Sequence, residues 1–418
     1  MRRILISGAA VLVLSLPVQA DPAAVVATYA DIAAAAYADS LALSEELSRA
    51  IDAMIDDPTP ATLAKARAAW VAARVPYLQT EVYRFGNPLV DDWEGGVNAW
   101  PLDEGLIDYV DADYGGATDG NAADVLNVIA TPTLMVSGRT IDATAITPTL
   151  LRGTLHEVGG SEANVATGYH AIEFLLWGQD LNGHGAGAGN RPATDFASGT
   201  ACTNGNCDRR AAYLRAATDL LVADLRTMAA SWAPGGAARA AATDSPQDGL
   251  AAMLKGMGSL SYGELAGERM RLGLMLNDPE EEQDCFSDNT HNSHYYNGLG
   301  IRNVYLGRYT RPDGTMVAGP SLADLVAARD PALDSHLRAQ LDASVAALGA
   351  IRAAAEGGMA YDQMLDRGNP QGGALIMAAV AALIDQTQGI ERVVQTLDLG
   401  PVAFEGSDSL DNPGVVFQ

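Results

Sequence analysis

Apolar side chains recur at helical spacing along most of this chain. From Pro22 to about Asp56 they return every three or four positions in an alanine-rich background, which is the pattern of a helix with one buried face. Alternating runs of β-branched residues, the usual signal for strands, are nearly absent. The pattern predicts an all-α fold, with helices at about 22–56, 62–83, 121–130, 145–158, 168–178, 208–232, 248–258, 260–276, 321–328, 332–355, 358–366 and 371–397.

The predicted helices form two groups on either side of a segment rich in glycine, proline and alanine at 233–249. Each group also holds one long loop, at 84–120 and 278–307, and long loops inside compact domains are usually functional. We therefore predict two helical-bundle domains with long packed loops, a pattern compatible with an old duplication. The predicted divisions are a signal peptide at 1–20, an N-terminal bundle at 21–235, a C-terminal bundle at 246–400 and an extended tail at 401–418.

The N-terminus has the three parts of a secretory signal. Arg2 and Arg3 precede an apolar stretch, and Val18-Gln19-Ala20 provides a cleavage site with small residues. No later stretch reaches the roughly 18 uninterrupted apolar residues of a membrane span. We expect a protein that is periplasmic or otherwise exported and soluble after cleavage, with no membrane span.

The net charge of the chain narrows its possible partners. Removing the two signal arginines leaves 24 basic against 52 acidic residues, a net charge of −28, from −26 for the whole chain. Such a chain repels nucleic acid and anionic lipid.

Cys202 and Cys207 lie in one polar loop, and in an exported protein we expect them to form a disulfide. Cys285 is left over, either as a buried thiol or as part of a site.

The stretch Gly168–Gly178 is the strongest candidate site. Its nine residues between two glycines include seven apolar ones, so the helix should be buried, and its only ionisable residues are His170 and Glu173. At spacing i, i+3 these two share a helix face. Burial of an imidazole and a carboxylate requires partners. The two side chains either pair with each other as a structural link or together hold something else, most simply a metal ion.

Several other acidic and histidine residues are weaker candidates for the same site. Two of them, Glu264 and Glu268, are neighbours at i, i+4, and an arginine or a metal would relieve their repulsion. A third, His291, lies three residues before His294, and haem bound by either histidine beside Tyr295 and Tyr296 is a further alternative. The weaker candidates together are Glu81, Glu104, Glu264, Glu268 and His291.

Gly168-Tyr169-His170-Ala171-Ile172-Glu173 resembles the G-x-H-x-x-E motif of the imelysin family. Members of that family are also described as insulin-cleaving metallopeptidases and iron-regulated protein A-like proteins. The resemblance extends through most of the mature chain, with further similar stretches at 98–110, 187–195, 261–270 and 285–307.

The resemblance implies an all-helical fold, an exported location and a site near the domain interface built around His170 and Glu173. It implies a link to iron acquisition and, as possible partners, other iron-uptake proteins of the envelope. Histidine with carboxylates suits iron, manganese or zinc, so we expect a divalent metal ion, iron or zinc, or a small iron-related ligand. The alternatives are a metallopeptidase in which Glu173 is catalytic, and an interaction protein without a ligand.

Overall fold

The computed structural model describes residues 21–115 and 121–417, so the predicted signal peptide lies outside the described residues. The described chain is mainly helical, as predicted. Its helices are α1 (Pro22–Asp56), α2 (Pro60–Leu78), α3 (Pro88–Asn98), α4 (Pro148–Leu150), α5 (Gly168–Trp177), α6 (Cys207–Trp232), α7 (Ala237–Thr243), α8 (Pro246–Ser259), α9 (Gly273–Leu276), α10 (Thr290–Leu306), α11 (Leu322–Arg329), α12 (Pro331–Glu356), α13 (Tyr361–Leu365), α14 (Pro370–Leu397) and α15 (Asp408–Asp411).

Shorter elements complete the fold. Two π-helices cover Leu151–Leu155 and Leu260–Leu272, and single 3₁₀ turns include Glu81–Tyr83, Glu104–Leu106 and Pro279–Glu281. Two antiparallel hairpins pair β1 (Thr133–Val136) with β2 (Arg139–Asp142), and β3 (Arg308–Thr310) with β4 (Met316–Ala318).

Many of the helices begin with the same two-residue signal. A polar N-cap residue is followed at once by proline, whose fixed φ suits the first helical position and whose missing N–H has no helical partner to lose there. In α2, Thr59 additionally forms a reciprocal capping box with Thr62. The pairs are Asp21-Pro22, Thr59-Pro60, Asn87-Pro88, Thr147-Pro148, Ser245-Pro246, Asp330-Pro331 and Asn369-Pro370.

The apolar core forms three clusters, and α1 contributes to two of them. The second half of α1 packs with α2, α5 and α6 in the first cluster. The first half, including Tyr29, packs with Trp232 and with α8, α10, α12 and α14 in the second. The third cluster lies between the longer π-helix, α12, α13 and α14. Helices of the two predicted bundles thus share one core cluster, and the duplication we considered is not confirmed.

Three segments that we predicted as a linker or as loops contain helices. The segment at 233–249 holds α7 and the start of α8 rather than an open linker. The loop 84–120 contains α3, which begins at Asn87-Pro88. Most of 278–307 is α10, whose buried positions include His294, Asn297 and Asn303. Apolar periodicity misses this helix because the buried positions of its first half, Thr290 to Asn297, are all polar.

The prediction of a helix at 121–130 is wrong. These residues form turns, because the Asn121 side chain accepts a hydrogen bond from the backbone N–H of Ala123 and Asn127 adopts a positive φ of 43°. Both features compete with helical backbone bonding.

Among the described residues, α14 alone is long and apolar enough to cross a membrane by length and composition, and 44% of its most apolar window is buried. Ile376, Val380, Leu383 and Ile390 place its apolar side in the core of the protein. Beyond α14 the only regular element described is the single turn α15 in the predicted tail.

Candidate metal centre

The G-x-H-x-x-E motif forms α5, and all ten residues of this helix are buried, as predicted. Gly168 opens it with a φ of +84°, and a Cβ at this position would clash with the backbone carbonyl of Val97. Glycine is therefore required for the helix to start against α3. On the shared face, His170 Nδ1 lies 3.0 Å from Glu173 Oε2, within hydrogen-bond distance.

A third side chain, Asp284, joins this pair from the opposite half of the sequence. Its Oδ1 lies 3.7 Å from His170 Nδ1, and the side chains of all three residues are 0% exposed. One ligand atom from each lies within 4.8 Å of the others. We call His170, Glu173 and Asp284 the buried trio.

Hydrogen bonds hold both carboxylates of the buried trio in place. Ser287 donates from its backbone N–H at 3.0 Å and from its hydroxyl at 2.6 Å to Glu173 Oε1. Asp284 Oδ2 accepts from the Ser293 hydroxyl and from Asn289 Nδ2. Such outer partners orient ligating carboxylates in metal sites.

The positively charged side chain of Arg74 contacts the buried trio through Asp284. Its guanidinium is fully buried and donates to Asp284 Oδ1 at 2.8 Å. It also lies 5.1 Å to 5.7 Å from the ring centres of Trp70, Tyr77 and Tyr169, so aromatic faces contribute to its stabilisation.

Burial and neighbouring charges perturb the pKa of every member of the trio. Burial, then Arg74, lowers the pKa of His170 to about 3, so its imidazole is neutral at pH 7. Burial, then Asp284, raises the pKa of Glu173 well above its ordinary value. Burial acts to raise the pKa of Asp284 as well, but the charge of Arg74, together with the hydrogen bonds from Ser293 and Asn289, outweighs it and the net pKa is lowered.

The donor set fits a transition-metal ion. Two ligands at about 2.1 Å from one tetrahedral ion are about 3.4 Å apart, and the 3.0 Å and 3.7 Å separations in the trio lie on either side of that value. One neutral imidazole with two carboxylates suits iron, manganese or zinc. The same contacts also make a buried hydrogen-bond network that includes Arg74.

Two of the weaker candidates lie on an ion-pair network beside the trio. Glu81 Oε2 pairs with Arg269 at 2.7 Å, and its Oε1 accepts a hydrogen bond from Asn98, which also accepts one from Arg74. Glu264 pairs with Arg269 at 2.7 Å. An arginine therefore relieves the charge of Glu264.

The remaining candidates lie outside the trio. Glu104 lines a cavity of about 410 Å³ with Glu280 and Cys285, and burial raises its pKa. Glu268 lines another cavity, of about 580 Å³. His291 lies on α10, where its Nε2 is 3.0 Å from Asn292 Nδ2.

His294, also on α10, is buried with its ring edge-on to Tyr361 at 4.9 Å. In the structure Cys202 and Cys207 form a disulfide, and Cys285 is a free, buried thiol.

Asp284 is the member of the trio that the sequence did not single out. It ends a run of five acids between Asp278 and itself, and no spacing rule links it to a helix more than a hundred residues earlier. The available signal was its position directly before the apolar pair Cys285-Phe286, which distinguishes it from solvated acids.

Comparisons with known proteins agree with this architecture. A structure named for an iron-regulated protein A precursor from Parabacteroides distasonis ATCC 8503 is similar with a TM-score of 0.65 and 20% identity, covering 92% of this chain and 97% of that one. An imelysin-like protein from Psychrobacter arcticum 273-4 is similar with a TM-score of 0.56 and 16% identity, covering 93% of this chain and 100% of that one. No curated protein sequence matches. The family model described as Imelysin matches residues 33–390, and the chain therefore belongs to the imelysin family.

Proposed function

We propose that this imelysin-family protein binds one divalent metal ion, iron or zinc, through His170 Nδ1, Glu173 and Asp284. The convergence of one ligand atom from each of these buried residues within 4.8 Å is the observation that carries the proposal. A bound ion would take the place of the hydrogen bond between His170 Nδ1 and Glu173 Oε2. Ser287, Ser293 and Asn289 keep the carboxylates oriented toward it.

A role in iron acquisition outside the cytoplasm is the biological part of the proposal. It is supported by the resemblance to the iron-regulated branch and by the name of the Parabacteroides neighbour. The signal-like N-terminus adds the exported location. Envelope proteins that deliver or accept iron are the partners that this role requires.

Binding is favoured over peptide hydrolysis by the burial of the trio. A catalytic zinc keeps an open position for water and must meet its substrate. The trio's side chains are 0% exposed, so an extended polypeptide cannot reach an ion held there in this conformation. Glu173 is also held by Ser287 through one oxygen, which limits its freedom to act as a base.

Equilibrium titration of chelator-treated protein with Zn²⁺, and with Fe²⁺ under anaerobic conditions, tests the binding proposal. Calorimetry should give one tight site in the wild type, weakened by at least about a hundredfold in His170→Ala and in Glu173→Gln. His336→Ala, which removes an exposed imidazole on α12, is the matched control and should bind as the wild type does. Equal affinity in wild type and His170→Ala would contradict the proposal.

A cleavage assay separates the metallopeptidase alternative. Unfolded protein substrate is incubated with metal-loaded wild type, with Glu173→Ala and with chelator-treated enzyme. We expect no cleavage by any of them. Cleavage that both Glu173→Ala and the chelator abolish would replace the binding role with a catalytic one at the same residues.

A further inference from the structure

A second group of carboxylates lies beside the buried trio and is not used by it. Glu282 and Asp288 come from the loop that carries Asp284, and Asp362 comes from α13. One oxygen from each lies within 4.8 Å of the others. We call Glu282, Asp288 and Asp362 the carboxylate triad.

Two members of the carboxylate triad are buried without adequate hydrogen bonding. Glu282 and Asp362 are each 1% exposed. Glu282 Oε1 and both side-chain oxygens of Asp362 have no hydrogen-bond partner among the described residues. The backbone N–H groups of Asp362 and Gln363 act to lower the pKa of the Asp362 carboxyl, but neither forms a hydrogen bond with it. Buried acceptors of this kind are costly unless something satisfies them.

No arginine or lysine of the described chain forms an ion pair with any of these three acids, in contrast to Asp284, which has Arg74. Most of the other charged groups near the triad are acids such as Asp180, which raises the pKa of Asp288 and of Asp362. His184 acts to lower the pKa of Asp362. Burial, then neighbouring acids, raises the pKa of Asp288 to about 7. Among the described residues, the triad therefore has no arginine or lysine as a counter-charge.

We propose that the carboxylate triad binds a hard divalent cation of the Ca²⁺ class. Ca²⁺ takes oxygen ligands at about 2.4 Å, so ligands on opposite sides of one ion are about 4.8 Å apart. The oxygens of the triad fall within that span. The ligand set contains oxygen alone, which separates it from the imidazole-containing trio and favours Ca²⁺ over zinc.

A cation bound at the triad would hold in place the loop that contributes Asp284 to the neighbouring trio. Glu282 and Asp288 flank Asp284 and Ser287 in sequence, and Ser287 is bonded to Glu173. An ion that joins this loop to Asp362 fastens both ends of the segment to α13. This inference does not rest on metal binding at His170, because it uses a different set of ligands.

Calorimetric titration of chelator-treated full-length protein with Ca²⁺ tests the proposal, together with thermal unfolding. The wild type should bind one Ca²⁺ and gain at least about 2 °C in Tm at saturation. Asp362→Asn should weaken Ca²⁺ binding at least about tenfold and lose the gain in Tm. Asp288→Asn, from a half-buried loop position, is a second variant with the same expected result should Asp362→Asn fail to fold. Glu391→Gln, on the exposed side of α14, is the matched control.

His170→Ala separates this inference from the proposed function. It should lose Zn²⁺ binding and keep the Ca²⁺ effect on Tm. Failure of Zn²⁺ binding in the wild type would leave the Ca²⁺ result standing. No Ca²⁺ binding by the wild type would overturn the proposal. An Asp362→Asn variant as stable as the wild type, or more stable, would then show that protons alone neutralise the triad.

Discussion

Ser287 donates two hydrogen bonds to one oxygen of Glu173, from its backbone N–H at 3.0 Å and its hydroxyl at 2.6 Å. Glu173 belongs to α5 in the first half of the chain, and Ser287 to the loop before α10 in the second. The contact therefore joins the two halves at the buried trio and leaves Glu173 Oε2 facing His170.

Ser287→Ala should weaken metal binding by about tenfold to a hundredfold, the usual effect of losing an outer partner of a ligand. The hydroxyl bond is lost while the backbone bond remains, so the fold should persist. Affinity for Zn²⁺ by calorimetry is the measurement, with Ser198→Ala at an exposed loop position as control. Unchanged affinity would mean that Glu173 is not a ligand or needs no orientation.

Replacing Arg74 should destabilise the protein strongly. Arg74→Met leaves the Asp284 carboxylate buried without its cation, and breaking a buried ion pair in this way costs about 3–5 kcal/mol. Urea unfolding monitored by circular dichroism gives the change in the free energy of unfolding.

The double variant Arg74→Met/Asp284→Asn should recover part of that loss, because the unpaired charge is gone. A double-mutant cycle with both single variants isolates the interaction energy. Purely additive effects would show that Arg74 and Asp284 do not act as a pair.

Stability should depend on pH through Asp108, which is not a member of the buried trio. Asp108 accepts from Arg191 and Arg210 at 2.6 Å each. Burial alone would raise the pKa of Asp108, but the two arginines lower it below its ordinary value of 3.8. A lowered folded-state pKa stabilises the protein above 3.8, and this contribution is lost as the pH falls through the lowered pKa.

Asp108→Asn measures that contribution. At pH 7 it should lower the free energy of unfolding by about 3–5 kcal/mol, because two buried arginines lose the negative charge of the carboxylate that they share. The difference between wild type and Asp108→Asn should shrink as the pH is taken below 3.8. A difference that stays constant down to pH 3 would refute the assignment of the stabilisation to the Asp108 charge.

The helical fold could be predicted from the sequence because its signals are local. Apolar spacing predicts the long helices α1, α6, α12 and α14 within a few residues. Apolar spacing does not predict α10 because the buried face of its first half consists of polar side chains such as His294 and Asn297, whose burial depends on partners elsewhere in the chain.

The candidate site could be predicted only in part, for a related reason. His170 and Glu173 are visible because two ionisable residues stand in one apolar helix. Asp284 and Arg74 reach them from distant segments, and the sequence gives no measure of that proximity. Nor does the sequence show that Glu81 and Glu264 pair with Arg269, which separates these two acids from the trio.

Anomalous diffraction from crystals of the protein purified from its native compartment tests the central claim most directly. We predict one peak between His170 Nδ1, Glu173 and Asp284, at the absorption edge of iron or zinc, and its loss in His170→Ala crystals grown alongside. A metal-free trio with the His170–Glu173 hydrogen bond intact, in protein that was never exposed to a chelator, would contradict the claim and leave these residues a structural network around Arg74.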